Sequence, residues 1–394
     1  MEQAQRREYD VVVVGLGVIG SAAAYWSAKR GARVLGLEQF EFGHARGSSH
    51  DGSRIIRLSY FTPEYVQMAK EAYSAWSSLE RDAGEQLIFR TGGLDIGPRG
   101  SPVRMSEHVN SMRACGVAFE QLDAAEIRKR WPCWRLGEEV HGLFQPDSGV
   151  VAAERATDAL RRVAVDFGAT LRDRTPVTSL HAAAGEIEVE AGGRRYRAGK
   201  LIIAAGAWTN GALAHFGRRL PMAVTKEQVI YFVPRDPAAF TLGEFPIWIW
   251  QDEPSFYGFP IFGESKAVKI TQDSAGKTVD ARTRGFEEDT GITTRVKGFL
   301  ERYLPAALGP VDLMKTCLYA RTPDRDFVID ALPGHPNVSV AVGDGHAFKF
   351  ASLIGRILSE GAAEGCDLTA FKITRPILSR LDAGKHDDRP AADR

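Results

Sequence analysis

The chain has 394 residues, enough for two domains with substantial cores. It is 44% apolar and 25% charged, and its 50 basic residues match 50 acidic ones, so no charge excess points to nucleic acid or an anionic membrane as partner. No apolar run reaches the ~20 residues of a membrane span, and Met1 to Glu8 lacks a signal-peptide segment, so a cytoplasmic protein is expected.

Tyr9-Asp10-Val11-Val12-Val13-Val14 is a continuous β-branched run suited to the buried strand of a parallel sheet. Gly15-Leu16-Gly17-Val18-Ile19-Gly20 follows at once, and an Ala-rich helix is expected from Val18 to Arg30, with Gly31 closing it. A second strand, Ala32 to Leu37, ends at Glu38. The glycines differ in what they permit. Gly15 makes the tight turn, Gly17 admits a pyrophosphate, and Gly20 lets the helix pack close to the strand. The helix start, at Val18 and Ile19, offers free N–H groups to an anion. Glu38 can accept hydrogen bonds from ribose hydroxyls. Strand, glycines, helix, strand and terminal acid in that order specify dinucleotide binding. They do not separate FAD from NAD.

The rest of the chain favours FAD. The loop Gly43 to Ser53 is rich in Gly, Ser and His, with Ser48, Ser49 and Ser53 as candidate cofactor contacts. A second α/β segment begins near Val151, with an expected helix Ala153–Phe167 and strands around Val177–Leu180 and Ile187–Glu190. Lys200 to Ala204 reads as a buried strand entering a turn at Gly206 to Trp208. Near the C-terminus a strand, Asn337 to Val342, leads through Gly343-Asp344-Gly345-His346 into a helix expected from about Ala347 to Ala363. Val177, Gly206, Trp208, Gly343, Gly345 and His346 are therefore candidate cofactor contacts. A chain that returns to its cofactor several times fits a discontinuous FAD domain better than a compact NAD domain.

The intervening stretches are aromatic and alternating, as in Val229 to Phe232, Ile247 to Trp250 and Phe256 to Phe259, and read as antiparallel strands. The expected fold class is α/β (α+β). An FAD-binding Rossmann-like domain comprises 8–85, 146–220 and 318–382, and an antiparallel-sheet substrate domain comprises 86–145 and 221–317. The polar tail 383–394 is expected to be disordered. Four cysteines, Cys115, Cys133, Cys317 and Cys366, show no CxxC spacing, and the histidines are scattered. Neither a disulfide framework nor a metal site is expected.

With these pieces in order the chain resembles the monomeric sarcosine oxidase family, whose relatives include N-methyltryptophan oxidase and pipecolate oxidase. The resemblance runs from Tyr9 to about Leu381. Its most specific blocks are Gly47-Ser48-Ser49-His50-Asp51-Gly52-Ser53-Arg54-Ile55-Ile56-Arg57, Phe144 to Val150, Tyr257-Gly258-Phe259-Pro260, Cys317-Leu318-Tyr319 and Gly345-His346-Ala347-Phe348-Lys349-Phe350. It implies a glutathione-reductase/D-amino-acid-oxidase type of FAD domain with the flavin joined covalently to Cys317. Arg54 and His50 would stand beside the flavin, supplying positive charge. Arg57 and Lys349 would grip a substrate carboxylate, with Lys349 also near the cofactor, and Tyr257 and Tyr319 would line the cavity. Lys269 would be the site of oxygen reduction.

Two cations in apolar contexts, Ile-Ile-Arg57-Leu and Phe-Lys349-Phe, need an anion, and a substrate carboxylate would supply it. Asp273 departs from the family, which carries a histidine there, and an anion at that place would either draw a basic or larger amine or turn into solvent. Ala347 replaces a glycine. The implied reaction is oxidation of a secondary α-amino acid by hydride transfer, with oxygen reduced to hydrogen peroxide, by a monomer without nucleic-acid or membrane partners. Rival readings are a dehydrogenase of the same fold passing electrons to a protein, an oxidase of glycated amino acids, a nicotinamide enzyme and a non-catalytic flavoprotein.

Overall fold

The computed structural model describes residues 7–183, 185–361 and 367–379. Cys366 and the tail 383–394 lie outside these residues. The first strand is Tyr9–Val14, and its alternation divides it between two cores. Val11 and Val13 face helices Val18–Lys29, Ala153–Asp166 and Ala351–Glu360, while Val12 and Val14 face an opposite apolar layer with Leu35, Leu37 and Val189. Both faces of this strand are buried from Val11 to Val14, which is why that stretch is unbroken valine.

The strand pairs in parallel with Val34–Leu37 on one side and with Arg194–Ile203 on the other. Thr170–Arg172 extends the sheet beyond Val34–Leu37. The second half of Arg194–Ile203 pairs in parallel with His335–Val342, and its first half pairs antiparallel with Glu186–Ala191. The C-terminal ends of the parallel strands therefore converge on one edge. The turns Gly15–Gly17, Ala204–Trp208 and Gly343–His346 meet there.

The expected second sheet is present with nine strands among the described residues. It is not wholly antiparallel: Ile247–Trp250 runs parallel to Gly93–Pro98, joining the segment around 93–145 to that around 223–321. The long strand Val311–Arg321 pairs along its length with Ala223–Phe232, and is continuous across 317/318, where the sequence suggests a domain boundary. Helix Thr290–Tyr303 covers this sheet, and Trp248, Trp250, Phe256 and Phe299 form the core between them.

The helix expected from Ala347 starts differently. Ala347–Phe350 is a 3₁₀ turn, and the α-helix is Ala351–Glu360, closed by Gly361 at φ 75°. The tighter turn buries Ala347, Phe348 and Phe350 while Lys349 faces the cavity described next.

Candidate active site

A cavity of about 2480 Å³ runs between the two sheets. Its walls include Gly15, Gly17, Val18, Ile19, Glu38, Ser48, Ser49, Val177, Gly206, Trp208, Gly343, Gly345 and His346. Gly20 and Ser53, also expected at the cofactor, do not line it. Gly20 is a packing glycine: a Cβ there would overlap the Gly15 carbonyl oxygen. Ser53 is buried, and its carbonyl oxygen accepts a 2.7 Å bond from Lys269 Nζ.

The dinucleotide end is built for a nucleotide. Gly15 turns at φ 88° hard against Ala204, and the helix after it begins at Val18, whose N–H donates to Ser49 Oγ at 2.9 Å. Glu38 lies below the loop, accepting from Leu16 N–H (2.9 Å) and Phe40 N–H (3.0 Å), with His44 Nε2 at 3.6 Å. Burial acts to raise the Glu38 pKa, but His44 and these N–H groups overcome it and hold the carboxyl below the usual range. It is a fixed anion on the cavity wall, as a ribose requires.

Toward the middle of the cavity, Cys317 lies on strand Val311–Arg321, buried and free. Burial pushes its thiol up to about 11, against the pull of Arg54. The neighbouring Leu318 carbonyl accepts from Ser48 Oγ, and Leu318 N–H donates to Gly47 O at 3.3 Å, so the Gly43–Ser53 loop is laced to this strand. Arg54 is fixed by donation to the carbonyls of Ser48 (2.9 Å), His50 (2.7 Å) and Ser53 (2.8 Å), and stands 5.6 Å over the Phe348 ring.

His50 lines the cavity with an unpartnered, buried Nε2. It does not supply the expected positive charge. Burial, reinforced by Arg54, pushes its pKa down to about 4, so the ring is neutral near pH 7 and Arg54 carries the charge alone.

Lys269 Nζ lies 2.5 Å from Asp51 Oδ2 and 4.6 Å over the Phe259 ring. Burial pushes its pKa down to about 8, and Asp51 resists the shift. Asp51, at φ 85°, also accepts from Tyr231 Oη at 2.5 Å and stands 3.2 Å from Lys315 Nζ. Arg54 Nη1 completes the cluster at 3.4 Å. Asp51 belongs to the block Gly47–Arg57, yet the sequence pattern assigns it no function. The missed signal was an acid between His50 and Gly52 in a loop otherwise made for close contact.

Arg57 and Lys349 both line the cavity, but their settings differ. Arg57 already has an anion: Nη1 donates to Asp95 Oδ1 at 2.9 Å, and Gln251 Nε2 holds the same oxygen at 2.8 Å. A lone acid in the apolar strand Gly93-Leu94-Asp95-Ile96 was the available signal for this counter-ion. Arg57 Nε has no hydrogen-bond partner among the described residues, and the guanidinium lies 4.8 Å over Tyr60. Lys349 has no acidic partner among the described residues. Its Nζ donates to His346 O at 3.0 Å, and burial, then the field of Arg57, pushes its pKa down to about 7.

Tyr257 and Tyr319 line the same region, and Gly345 sits at φ 80° so close to the Tyr319 ring that a Cβ would overlap it. Asp273 also lines the cavity, 3.8 Å from Arg325 Nη2.

A family model for FAD-dependent oxidoreductases matches residues 10–361. The monomeric sarcosine oxidase of Arthrobacter sp. (strain TE1826) is 33% identical over 388 residues, which is 96% of this chain and 99% of the relative. The chain belongs to the FAD-dependent oxidoreductases, in the monomeric sarcosine oxidase family. The N-methyl-L-tryptophan oxidase of Citrobacter koseri is 32% identical over 93% of this chain and 99% of the relative. Among solved structures, the open form of NikD, an unusual amino acid oxidase essential for nikkomycin biosynthesis, superposes with a TM-score of 0.82. It is 29% identical, covering 93% of this chain and 98% of that one.

The family cofactor is FAD, and the cavity of this oxidoreductase fits it. It provides a helix start for phosphates, where the Val18 N–H is already taken by Ser49 Oγ, and a fixed acid for a ribose. Among the described residues no group of three or more His, Cys, Asp or Glu is arranged for a metal, and no helix is long and apolar enough to cross a membrane.

Proposed function

We propose that the protein oxidises a secondary α-amino acid, N-methylated or cyclic, to an imine, and reduces oxygen to hydrogen peroxide. The observation that carries this reading is Lys349, a half-buried cation without an acidic partner among the described residues, in the same cavity wall as Arg57. A substrate carboxylate fits both: the unpartnered Nε edge of Arg57 takes one oxygen and Lys349 Nζ the other. Similarity to oxidases of sarcosine and N-methyl-L-tryptophan supports a secondary amine.

FAD, when bound, supplies the hydride acceptor and the electrons for oxygen. The protein orients and polarises. Gripping the carboxylate would hold the substrate in one orientation, in a cavity that Tyr257 and Tyr319 also line. The amine has to be neutral, because hydride departure draws on its lone pair. Arg54, Arg57 and Lys349 lower its pKa, offset in part by the substrate's own carboxylate. Lys269, buried and cationic, favours the negative charge that develops on oxygen. Unit charges ~4 Å apart attract by about 4 kcal/mol at an effective dielectric of 20. Cys317 would hold the flavin as a covalent tether. Burial raises its pKa against the pull of Arg54, which keeps the thiolate that such a bond requires scarce in the protein alone.

The test is anaerobic mixing of the holoenzyme with sarcosine, N-methyl amino acids, proline, pipecolate and a glycated amino acid. Loss of the yellow flavin band, and its return with peroxide on admitting air, is expected for at least one secondary amine. No bleaching with any of them would sink the reading, and bleaching without return in air would make the protein a dehydrogenase. After acid precipitation the colour should stay with the polypeptide, whereas in Cys317→Ser it should extract.

A further inference from the structure

Two charged patches face the cavity within each other's field, Asp273 acting to raise the pKa of Lys349. At one, Arg57 is neutralised by Asp95 and Lys349 stands without an acidic partner among the described residues. At the other, a single guanidinium serves two carboxylates: Arg325 Nε donates to Asp344 Oδ2 at 3.0 Å, and its Nη2 lies 3.8 Å from Asp273 Oδ2. The shares are unequal. Asp344 is fully buried, has the shorter contact, and also accepts from Thr322 N–H at 2.7 Å and Thr322 Oγ1 at 3.3 Å. Asp273 keeps the long contact and one bond from Ser274 Oγ at 3.0 Å, and a third of its side chain is open (35%). Asp273 is therefore the acid that Arg325 holds less closely, and it lines the cavity wall.

That carboxylate is held in place. Asp273 N–H donates to Ser255 O at 2.9 Å, directly after strand Val268–Gln272. The same cavity carries, beside Arg57, buried polar atoms with no hydrogen-bond partner among the described residues. Tyr60 Oη and His108 Nδ1 belong to residues only 3% and 4% exposed. Burial lowers the His108 pKa, so the ring keeps one nitrogen as an acceptor near pH 7. Buried groups of this kind are satisfied by a ligand that brings hydrogen-bond donors.

We infer that Asp273 is the anionic half of a second subsite, which takes a cationic group on the substrate's side chain or nitrogen substituent. This rests on the reading that the cavity binds a secondary α-amino acid, and it narrows the substrate class. The cation at Asp273 is not the reacting nitrogen. A carboxylate beside that nitrogen would hold it as ammonium and remove the lone pair the oxidation uses. A second cation farther along the substrate meets Asp273 while Arg57 and Lys349 hold the α-carboxylate. Like charge at that carboxylate end and unlike charge here then fix the substrate's direction.

Thioether acids, in which sulfur replaces the reacting nitrogen, test the subsite by binding alone. The probes are 2-(propylthio)acetate and its cationic counterparts 2-(2-aminoethylthio)acetate and 2-(3-aminopropylthio)acetate. Each is titrated into the holoenzyme by calorimetry and by change in the flavin spectrum. At least one cationic probe is expected to bind roughly tenfold more tightly than the neutral one. The preference should vanish in Asp273→Asn and persist in Asp273→Glu. Equal or tighter binding of the neutral probe would overturn the inference, as would a preference that survives Asp273→Asn. The wild-type comparison stands even if a variant does not fold. Binding of the neutral probe without preference would leave the amino-acid reading intact, whereas failure of all three probes to bind would overturn both.

Discussion

Lys349 meets a carboxylate only while it is charged, and its burial makes that charge sensitive near neutral pH. Its pKa is lowered to about 7, so the cation is complete below that value and is lost as pH rises through it. The Kd of 2-(propylthio)acetate should therefore weaken above pH 7, approaching tenfold per pH unit. Lys349→Met should bind weakly and without that slope, which titration across pH 6 to 9 would reveal. Lys269 titrates under the opposite influence. Asp51 holds its proton, so Asp51→Asn should move the loss of that proton to lower pH, and the rate of reoxidation by oxygen should begin to fall at lower pH than in the wild type. Removing one member of such a buried pair also costs about 3–5 kcal/mol, readable in denaturant. Lys269→Met should slow reoxidation far more than reduction in stopped-flow traces. Equal slowing of both half-reactions would refute the role given to Lys269.

Elements, rather than single residues, set how closely the cavity walls approach. Helix Val18–Lys29 carries the phosphate-facing turn at its start and packs against helix Ala351–Glu360. The contact is tight at Gly355, where a Cβ would come within 2.5 Å of Ala22. Gly355→Val should cost about 3 kcal/mol through overpacking, seen as a lower melting midpoint. An unchanged midpoint would show that the helices can separate without cost. Much at this scale was legible: strand Tyr9–Val14 and the following helix are written in consecutive residues whose periodicity needs no distant partner. The 3₁₀ turn Ala347–Phe350 was not, because a helical pattern does not distinguish three from 3.6 residues per turn over four positions. The parallel pairing of Ile247–Trp250 with Gly93–Pro98 was equally hidden, since strand direction depends on the path between strands and not on their composition.

Across the whole molecule the cavity is enclosed by residues from Val14 to Lys349, drawn from both large sheets. A cofactor filling it bridges structures that otherwise meet around an open volume. Cys317→Ser protein stripped of FAD should melt below the holoenzyme, and FAD added at 100 times its Kd should restore about 2.7 kcal/mol. A midpoint indifferent to FAD would mean that the sheets hold one another without it.

The dinucleotide fingerprint, the α/β class and the family were determined by the sequence alone, because each is carried by short ordered blocks whose spacing is covalent. The two cations proposed for a carboxylate, and the cysteine proposed for a flavin, were named from the same blocks. What each charge actually faces was decided only by tertiary structure. Asp95 reaches Arg57 from 38 residues away, Asp51 closes on Lys269 across two sheets, and Arg325 is divided between Asp344 and Asp273. Electrostatic partnership depends on distance through space, which strand register and packing set, and so it leaves no periodic trace along the chain.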